Sequence, residues 1–365
     1  MYIYYILFLG VCLLSFVILH YQGRVVFALH SNSKRSITPK QLYVFIIFLS
    51  VSFIVGFRGL GVGIDTLVYY KYYETALNGH INIFEGIQIV RPIIEFICAK
   101  LHFPAALYFF AVASLTSYFI FKYMLEMSKD VFISIIIYLG MFFVQSMNIM
   151  DTWLALSFGL GALVEYNKKH TKRALCFLIL SCLTHISAVV MLLYFLFYKI
   201  KNKKKALVVF IFLGLVFICV KDMLMRFIVY LVPQYSSYYY GGRYGQGGVS
   251  IEKILLYLII LVAIFYILFS KKKMLTAEEV SNFYTYAAFV VLAIVFSIAA
   301  NSLLYMNRLV YYFGITIVVC VPAVLDKFPL KHFTKIVVVL AMFFLLYRNE
   351  SVDSSGISNY TWYWQ

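Results

Sequence analysis

Charge is scarce in this chain, and negative charge is the scarcer sign. Only 13% of the 365 residues are charged, and 31 Lys and Arg outnumber 15 Asp and Glu. A soluble domain carries about a quarter of charged residues, whereas this chain is 64% hydrophobic and 19% aromatic. The composition therefore excludes an ordinary soluble domain, and apolar runs near 20 residues favour membrane-spanning helices.

Cysteine pairs are also missing. The six cysteines lie within apolar runs, and none forms a C-x-x-C pair: Cys12, Cys98, Cys176, Cys182, Cys219 and Cys320. Zinc sites and disulfide frameworks need closely spaced or loop-borne cysteines, so small buried apolar residues are the better interpretation. We expect no metal and no cofactor. The apolar runs do not alternate with polar residues, which argues against a transmembrane β-barrel.

The net charge of +16 does not indicate a nucleic-acid partner. Lys and Arg crowd into short stretches at the ends of apolar runs, where the positive-inside rule and anionic lipids place them. These stretches are residues 24–40, 168–173, 199–205, 271–273 and 327–335. We assign them to the cytoplasmic side of a bilayer, and this assignment orients every loop between them.

The resulting fold is all-α: a polytopic integral membrane protein of about ten transmembrane helices. Residues 1–365 are interpreted as a single transmembrane domain. Two larger loops, residues 58–102 and 221–250, fall on the external side. Within the first of them, a weakly amphipathic stretch at residues 87–101 is interpreted as interfacial or partly inserted.

One apolar run conflicts with simple alternation across the bilayer. Residues 174–198 have basic stretches at both ends, so a single span would place residues 199–205 outside. Two legs of about 12 residues would each rise about 18 Å at 1.5 Å per residue, past the midplane of a core about 30 Å thick. We therefore predict a re-entrant helical hairpin with Thr184, His185 and Ser187 at its tip, which opens outward.

A glycine-rich run follows the second predicted helix. Residues 57–66 hold three glycines in five positions, flanked by Arg58 and Asp65. Glycine allows a ligand to approach the backbone closely, and the planar donor fork of Arg suits a diphosphate. A flexible loop with an interfacial Arg is the alternative.

His185 is the only histidine deep in an apolar run. A neutral imidazole can take a proton from a hydroxyl near neutral pH, and an ionisable residue at membrane depth is a functional candidate. A buried structural histidine is the alternative. Arg308 stands at the mouth of a helix and is followed by Tyr311 and Tyr312, and an Arg that snorkels to lipid headgroups is its alternative.

Two further stretches carry candidates. Arg243 lies in a Tyr- and Gly-rich loop, a composition common where sugars stack on aromatic rings, although an aromatic belt at the interface would look similar. Asn148 and Asp151 occupy a tight turn between two helices, and capping of the following helix is the alternative there. All these candidates fall on the side that the basic stretches leave as external.

The chain also resembles a known family. Four segments resemble, in this order, the EpsG/Wzy-type polysaccharide polymerases of bacterial membranes: FRGLGVGIDTLVYY (57–70), NIMDTWLALSFGLGALVEY (148–166) followed by NKK, LTHISA (183–188) and RLVYYF (308–313). The resemblance covers residues 57–313. It departs after Asn148, where the family usually carries an Arg and this chain has Asp151.

The resemblance implies a metal-independent, GT-C-like glycosyltransferase. Its substrate would be an oligosaccharide repeat unit on undecaprenyl diphosphate, joined to a growing chain at the outer face of the bacterial plasma (inner) membrane, toward the periplasm or exterior. A chain-length regulator and a flippase would be partners, beside the lipid bilayer. The implied site residues are His185, Asp65 and Arg308 for catalysis, and Arg58, Arg243, Asn148, Asp151, Tyr69 and Tyr312 for substrate binding.

The residues suit that chemistry. A diphosphate leaving group needs fixed cations for its developing charge, which Arg58, Arg308 and Arg243 could supply, and His185 or Asp65 could accept the proton of an acceptor hydroxyl. Three alternatives stay open. A transporter or flippase of the same lipids would want charges along a two-sided pathway. A membrane acyltransferase also uses a His beside lipid, but it would more often expose that His toward a cytoplasmic acyl donor. A related O-antigen ligase would transfer the finished chain to another lipid or protein acceptor, and the sequence separates it poorly from a polymerase.

Overall fold

The computed structural model describes residues 2–19, 25–27, 35–80, 88–231, 236, 251–300, 306–353 and 356–365. Within these ranges the regular secondary structure is helical, apart from an isolated bridge between Arg58 and Trp362 and one antiparallel pair of short strands. The strands are β1 (Val25–Phe27) and β2 (Arg35–Ile37), and Val25 is opposite Ile37. Arg243 and most of the predicted loop 221–250 lie outside the described residues.

The α-helices, numbered in chain order, are α1 Tyr2–Leu19, α2 Pro39–Gly56, α3 Thr66–Leu77, α4 Val90–Lys100, α5 Ala105–Met127, α6 Val131–Met141, α7 Phe143–Asn148, α8 Met150–Asn167, α9 Thr171–Thr184, α10 Leu192–Lys199, α11 Lys203–Leu231, α12 Ile251–Ser270, α13 Ala277–Ala299, α14 Asn307–Gly314, α15 Ile317–Asp326 and α16 Lys331–Val352. Two 3₁₀ segments, Ile186–Met191 and Lys272–Met274, complete the described secondary structure.

The helical, multi-pass architecture predicted from composition is confirmed. Six segments of the described chain are long and apolar enough to cross a membrane: Pro39–Gly56, Ala105–Met127, Lys203–Phe227, Ile251–Ser270, Ala277–Ala299 and Asn307–Asp326. At 1.5 Å per residue, helices of 18 to 25 residues measure about 27 to 38 Å, which matches a hydrocarbon core about 30 Å thick. Tyr2–Ile18, Val131–Met141 and Ile186–Lys199 are shorter apolar helices. The total of about ten spans and the GT-C-like arrangement stay predictions.

The chain divides into two compact units. The first comprises Met1–Ala188 and Leu330–Gln365, and the second comprises Val189–Pro329. In the first unit α5 packs between α2 and α8, α9 packs on α8, and α16 packs on α6.

Ion pairs collect at one end of the helices of the first unit. Lys122 lies 3.2 Å from Glu165, Lys168 lies 2.8 Å from Glu126, and Lys335 lies 2.6 Å from Asp130. This basic end contains the end of α5, the end of α8 and the beginning of α16. The opposite end of the same helices carries Tyr108, Asp151 and Glu350, and there the site is built.

Two helices cover that opposite end within the segment predicted as an external loop. α4 falls inside the amphipathic stretch 87–101 that the sequence indicates, whereas α3 has no counterpart in the sequence prediction. Tyr73 of α3 stacks on Tyr108 of α5, with ring centroids 4.5 Å apart and planes 3° apart, and its hydroxyl donates to the carbonyl of Phe103 at 2.6 Å. This contact fixes α3 on the core of the first unit.

Two apolar runs are interrupted. Residues 131–147 form one predominantly apolar run, which predicts a single helix, but the structure breaks it at Phe142. Asn349 of α16 donates to the carbonyl of Gly140 at 3.1 Å, and a side chain that enters the helical hydrogen-bond ladder is a recognised cause of a break. The second interruption was predicted: α9 ends at Thr184, and His185 has extended backbone (φ −153°, ψ 127°). The direction of the second leg stays a prediction.

The second unit is held by an aromatic stack. Tyr194 lies 3.8 Å from Phe289 and 5.8 Å from Phe313 between ring centroids, and Phe296 lies 5.5 Å from Phe313. α13 packs against α11, α12 and α14. At one end Lys327 pairs with Glu279 at 2.6 Å, so this unit also has a basic end.

Candidate functional site

The turn between α7 and α8 brings five of the predicted site residues together in the first unit. The backbone N–H of Asp65 donates to Oδ1 of Asn148 at 3.0 Å, and that of Asp151 donates to the hydroxyl of Tyr69 at 3.5 Å. Arg58 donates from Nη2 to the carbonyl of Met147, next to Asn148, at 3.0 Å. These residues come from the end of α2, the start of α3 and the α7–α8 turn, so tertiary packing rather than sequence proximity assembles them.

Arg58 is almost completely buried, with 1% of its surface exposed. Besides Met147, its guanidinium donates to the carbonyl of Val55 and, at 3.3 Å, to the hydroxyl of Thr66, and it lies 5.0 Å from the ring centroid of Phe109. Burial lowers the pKa of Arg58 to about 10, so the side chain keeps its charge at neutral pH. Among the described residues no carboxylate forms an ion pair with it.

The glycine-rich run beside Arg58 is hydrogen-bonded to a later segment of the same chain. The backbone N–H of Gly59 donates to the carbonyl of Thr361 at 2.8 Å, and that of Gly63 to the carbonyl of Gly356 at 2.7 Å. A Cβ at position 59 would overlap Oγ1 of Thr361, and Gly63 has φ +90°, which L-residues with a side chain rarely adopt. The glycines do permit close backbone approach, as the sequence indicates, but here the approaching group is residues 356–363.

Arg91 forms a second charged cluster on the other side of the α7–α8 turn. Its Nε lies 3.0 Å from Oδ2 of Asp151 and its Nη1 lies 2.5 Å from Oε1 of Glu95, which also accepts from the hydroxyl of Tyr108 at 3.2 Å. The ring centroid of Tyr72 lies 4.3 Å from the guanidinium carbon. Arg91 and Glu95 are absent from the sequence-based candidates, although their i, i+4 spacing in an amphipathic stretch was a usable signal.

One cation is shared by two carboxylates in this cluster, and the pKa values shift accordingly. Burial opposes the charge of Arg91, but Asp151 and Glu95 outweigh it and raise its pKa. Burial also raises the pKa of Glu95, against the opposing effect of Arg91 and Tyr108. Glu95, with 4% of its surface exposed, therefore takes a proton more readily than a carboxyl group in water.

His185 lies at the same end of the first unit as Asp151. Ser181 donates to the carbonyl of Ala155 at 2.5 Å, one turn after Asp151, and His185 follows Ser181 by one turn. The backbone N–H of Ser187 donates to Nδ1 of His185 at 3.2 Å, and the Ser187 hydroxyl lies 2.6 Å from the same atom. Because a backbone N–H can only donate, Nδ1 is the acceptor and the neutral ring carries its proton on Nε2.

The other predicted residues lie in the second unit. Arg308 is half-buried in the first turn of α14, at the end of that unit opposite Lys327 and Glu279. Tyr312 is fully buried, and its carbonyl accepts from the hydroxyl of Tyr194 at 2.6 Å. The contact with Tyr194 is made by the backbone of Tyr312, and a direct role of its side chain in substrate binding stays a prediction.

The chain matches a known protein family. The family model described as the EpsG family matches residues 41–362. No curated protein and no solved structure matches the chain at a significant level. The matched region contains each residue of both charged clusters, as well as His185, Arg308 and residues 356–362.

Proposed function

The chain belongs to the EpsG family, and we propose that it polymerises lipid-diphosphate-linked oligosaccharide repeat units at the outer face of the bacterial plasma membrane. Family membership supports a role in polysaccharide polymerisation in general. The observation that carries the finer proposal is the position of Arg58, Asp65, Asn148, Asp151 and His185. All lie at the end of the first unit opposite the ion-paired lysines, which the positive-inside rule assigns to the cytoplasm.

The proposed reaction is glycosyl transfer. The bond between the anomeric carbon of the growing chain and its polyprenyl diphosphate breaks, and a new bond forms from that carbon to a hydroxyl of the next repeat unit. The electron pair of the broken bond leaves with the diphosphate, whose developing charge needs fixed cations. Arg58 supplies a buried charge that no described carboxylate neutralises, and Arg308 is the candidate for direct contact with the diphosphate.

The proton of the acceptor hydroxyl needs a base. Nδ1 of His185 is the basic atom of the neutral ring, and the hydroxyl of Ser187 lies 2.6 Å from it. We propose that His185 takes the proton through or beside Ser187 and that Asp65 is the second candidate base. Asn148 holds the Asp65 backbone through Oδ1, while Asp151 and Tyr69 line the same end of the unit.

The lipid-linked substrate agrees with the apolar exterior of the helices. Large side chains such as Phe212, Phe269 and Phe344 are more than half exposed on long apolar helices, as expected for surfaces that face lipid tails. A transporter of the same lipids is the second candidate function, since it would show the same exterior. Chemistry on the substrate separates the two.

The test uses purified protein in proteoliposomes with a synthetic oligosaccharide repeat unit on polyprenyl diphosphate, and products are separated on a gel. A ladder of repeat-unit multiples supports the polymerase. One product coupled to a different acceptor would indicate a ligase, and unchanged substrate that crosses the bilayer would indicate a transporter. His185→Ala and Arg308→Ala should each abolish the ladder, whereas Lys71→Ala, on the exposed face of α3, should leave it unchanged.

A ladder made equally well by both active-site variants would contradict the residue assignment. Each variant needs a check of folding by size-exclusion chromatography. Arg58 requires particular care, because its removal strips buried carbonyls of Val55 and Met147 of their donor and is expected to unfold the site.

A further inference from the structure

Residues 356–363, called the strap below, pair with the residues on both sides of Arg58. Gly59 donates its N–H to the carbonyl of Thr361, Tyr363 donates its N–H to the carbonyl of Phe57 at 2.9 Å, and Arg58 itself stands opposite Trp362 in an antiparallel bridge. The Gly63–Gly356 bond extends the pairing to the far end of the glycine-rich run. The strap therefore fixes the backbone immediately before and after the buried guanidinium.

The strap is itself anchored at several points of the first unit. Ile357 is fully buried, and its carbonyl accepts from the hydroxyl of Tyr4 in α1 at 2.9 Å. The N–H groups of Ile357 and Ser358 donate to Oδ1 of Asp353 at 2.6 and 3.0 Å. Tyr360 donates to the carbonyl of Ile54 in α2 at 2.8 Å.

Two tryptophan rings at the end of the chain also pack against the end of α2. Trp362 and Trp364 stack with centroids 5.1 Å apart and planes 6° apart, and they lie 5.5 and 6.1 Å from Phe53 and Phe57 respectively. Trp364 stays 62% exposed. Tryptophan prefers the membrane interface, so this end of the strap suits the boundary between lipid and water.

We propose that the strap is a positioning element of the active site and holds the Arg58 loop in its working geometry. The reaction proceeds in the closed state, in which the strap stays hydrogen-bonded to that loop. The inference rests on the proposed polymerase function. In the closed state the N–H groups of Gly59 and Gly63 are already bonded to strap carbonyls. They are therefore not donors to substrate, and the loop contributes through the placement of Arg58. If those N–H groups bound an anion instead, the strap would have to open in each cycle.

A glycine replacement tests the contact. In Gly59→Ala the new Cβ would overlap Oγ1 of Thr361 and lie 3.3 Å from both its Cβ and its carbonyl oxygen, so rotation of the hydroxyl does not relieve the contact. We expect about a 10²-fold loss of ladder formation, as for displacement of a positioning group by about 1 Å. Gly59→Ala with Thr361→Gly removes the side-chain overlap and should recover activity to within about threefold of wild type, since the cause of the loss is removed.

Gly10→Ala is the matched control, because its Cβ meets nothing within 4 Å in the same unit. It should keep wild-type activity. Normal activity of Gly59→Ala, or a loss that Thr361→Gly does not recover in folded protein, would overturn the positioning role.

A disulfide distinguishes a fixed strap from one that opens. The Cβ built on Gly59 lies 3.3 Å from Cβ of Thr361, close to the roughly 3.5–4.5 Å of natural disulfides. Gly59→Cys with Thr361→Cys, in a chain whose six native cysteines are replaced, should cross-link under mild oxidation, as read by loss of maleimide labelling. Gly61→Cys with Thr361→Cys is the control pair, since position 61 has open space around it.

The oxidised protein should form the ladder within about threefold of the cysteine-free parent, which keeps Gly59 and Thr361, because the disulfide leaves the strap on the loop. That difference is small beside the roughly 10²-fold loss expected for Gly59→Ala. An inactive oxidised form that dithiothreitol reactivates would overturn the proposal and show that the strap must open. A wild-type protein that makes no ladder would instead refute the proposed function, while cross-linking still reports whether the strap lies on the loop. Absence of cross-linking would overturn the strap itself.

Discussion

Oδ2 of Asp151 lies 3.0 Å from Nε of Arg91, and this pair joins α8 to α4 across 60 residues of sequence. Both side chains are largely buried, with 14% and 17% of their surfaces exposed. Arg91 also holds Glu95 through a different nitrogen. Two nitrogens of the planar guanidinium thus bind two carboxylates, a geometry that the single nitrogen of a lysine ammonium does not match.

Arg91→Ala should destabilise the folded protein by about 3 kcal/mol, because it leaves two buried carboxylates without their cation. Arg91→Lys should recover only part of that loss. Denaturation in detergent, followed by circular dichroism, gives the free energy of unfolding. Lys71→Ala is the control, since Lys71 is exposed on the neighbouring helix α3. Equal stability of Arg91→Ala and the control would show that the pair contributes nothing.

Glu95 predicts a pH dependence of stability. Burial raises the pKa of Glu95 above the ordinary value of 4.5. Between pH 4.5 and the folded-state pKa, the folded protein therefore keeps a proton that the unfolded chain has released. The stability from this group is therefore fully present below pH 4.5 and is lost as the pH rises through the folded-state pKa. Melting temperatures from pH 4 to 8 should fall less steeply for Glu95→Gln than for wild type.

Glu74→Gln supplies the comparison for that experiment, because Glu74 is exposed on α3. Its melting temperatures should follow those of wild type at every pH. Parallel curves for Glu95→Gln and wild type would mean that Glu95 does not titrate in this range.

His185 and Ser187 predict a graded effect on the rate. His185→Ala removes the proposed base and should lower the initial rate of ladder formation by about 10²-fold or more. Ser187→Ala should cost less, about tenfold, because His185 itself remains and the backbone N–H of residue 187 still holds the orientation of its ring. Thr184→Val is the control: in the part of the chain that the structure describes, its hydroxyl donates to the carbonyl of Leu180 in its own helix. A Ser187→Ala rate equal to wild type would remove the hydroxyl from the proton path.

The re-entrant hairpin predicts that both of its basic flanks share one face. Thr171 and Asn202 are exposed, and cysteines placed there should react with a membrane-impermeant maleimide only from the cytoplasmic side. The reason is that both flanks are basic. If residues 174–198 formed a single span, one of the two flanks would lie outside, against the positive-inside rule. Labelling of the two positions from opposite sides would replace the hairpin by a single span.

Charge patterning in the sequence indicated which residues gather at one end, and Asp65, Asn148 and Asp151 do meet there. The i, i+4 spacing of Arg91 and Glu95 was visible in the sequence, but nothing local pointed to Asp151, which lies 60 residues further along the chain. Asn349, whose side chain reaches Gly140 at the break before α7, was hidden for the same reason. Local periodicity reports the face of a helix but not which distant residue reaches it.

The glycine-rich run is a second example in which a distant partner could not be identified from local sequence. Its spacing predicted close approach of a ligand to the backbone, which stays a prediction; in the structure the neighbour of Gly59 and Gly63 is the strap. Nothing in the run specifies whether that neighbour is a ligand or another part of the chain. The partner, Thr361, carries no motif that marks it. The steric requirement was readable in the sequence, and the identity of the neighbour was not.

The pairing of Gly59 with Thr361 also sets an order of events during biosynthesis. The Arg58 loop is made about 300 residues before the strand that completes it, about 30 seconds earlier at roughly ten residues per second. Through that interval the N–H groups of Gly59 and Gly63 lack their partners in the strap. The geometry of the Arg58 loop is therefore completed only after α16 and the strap have been made.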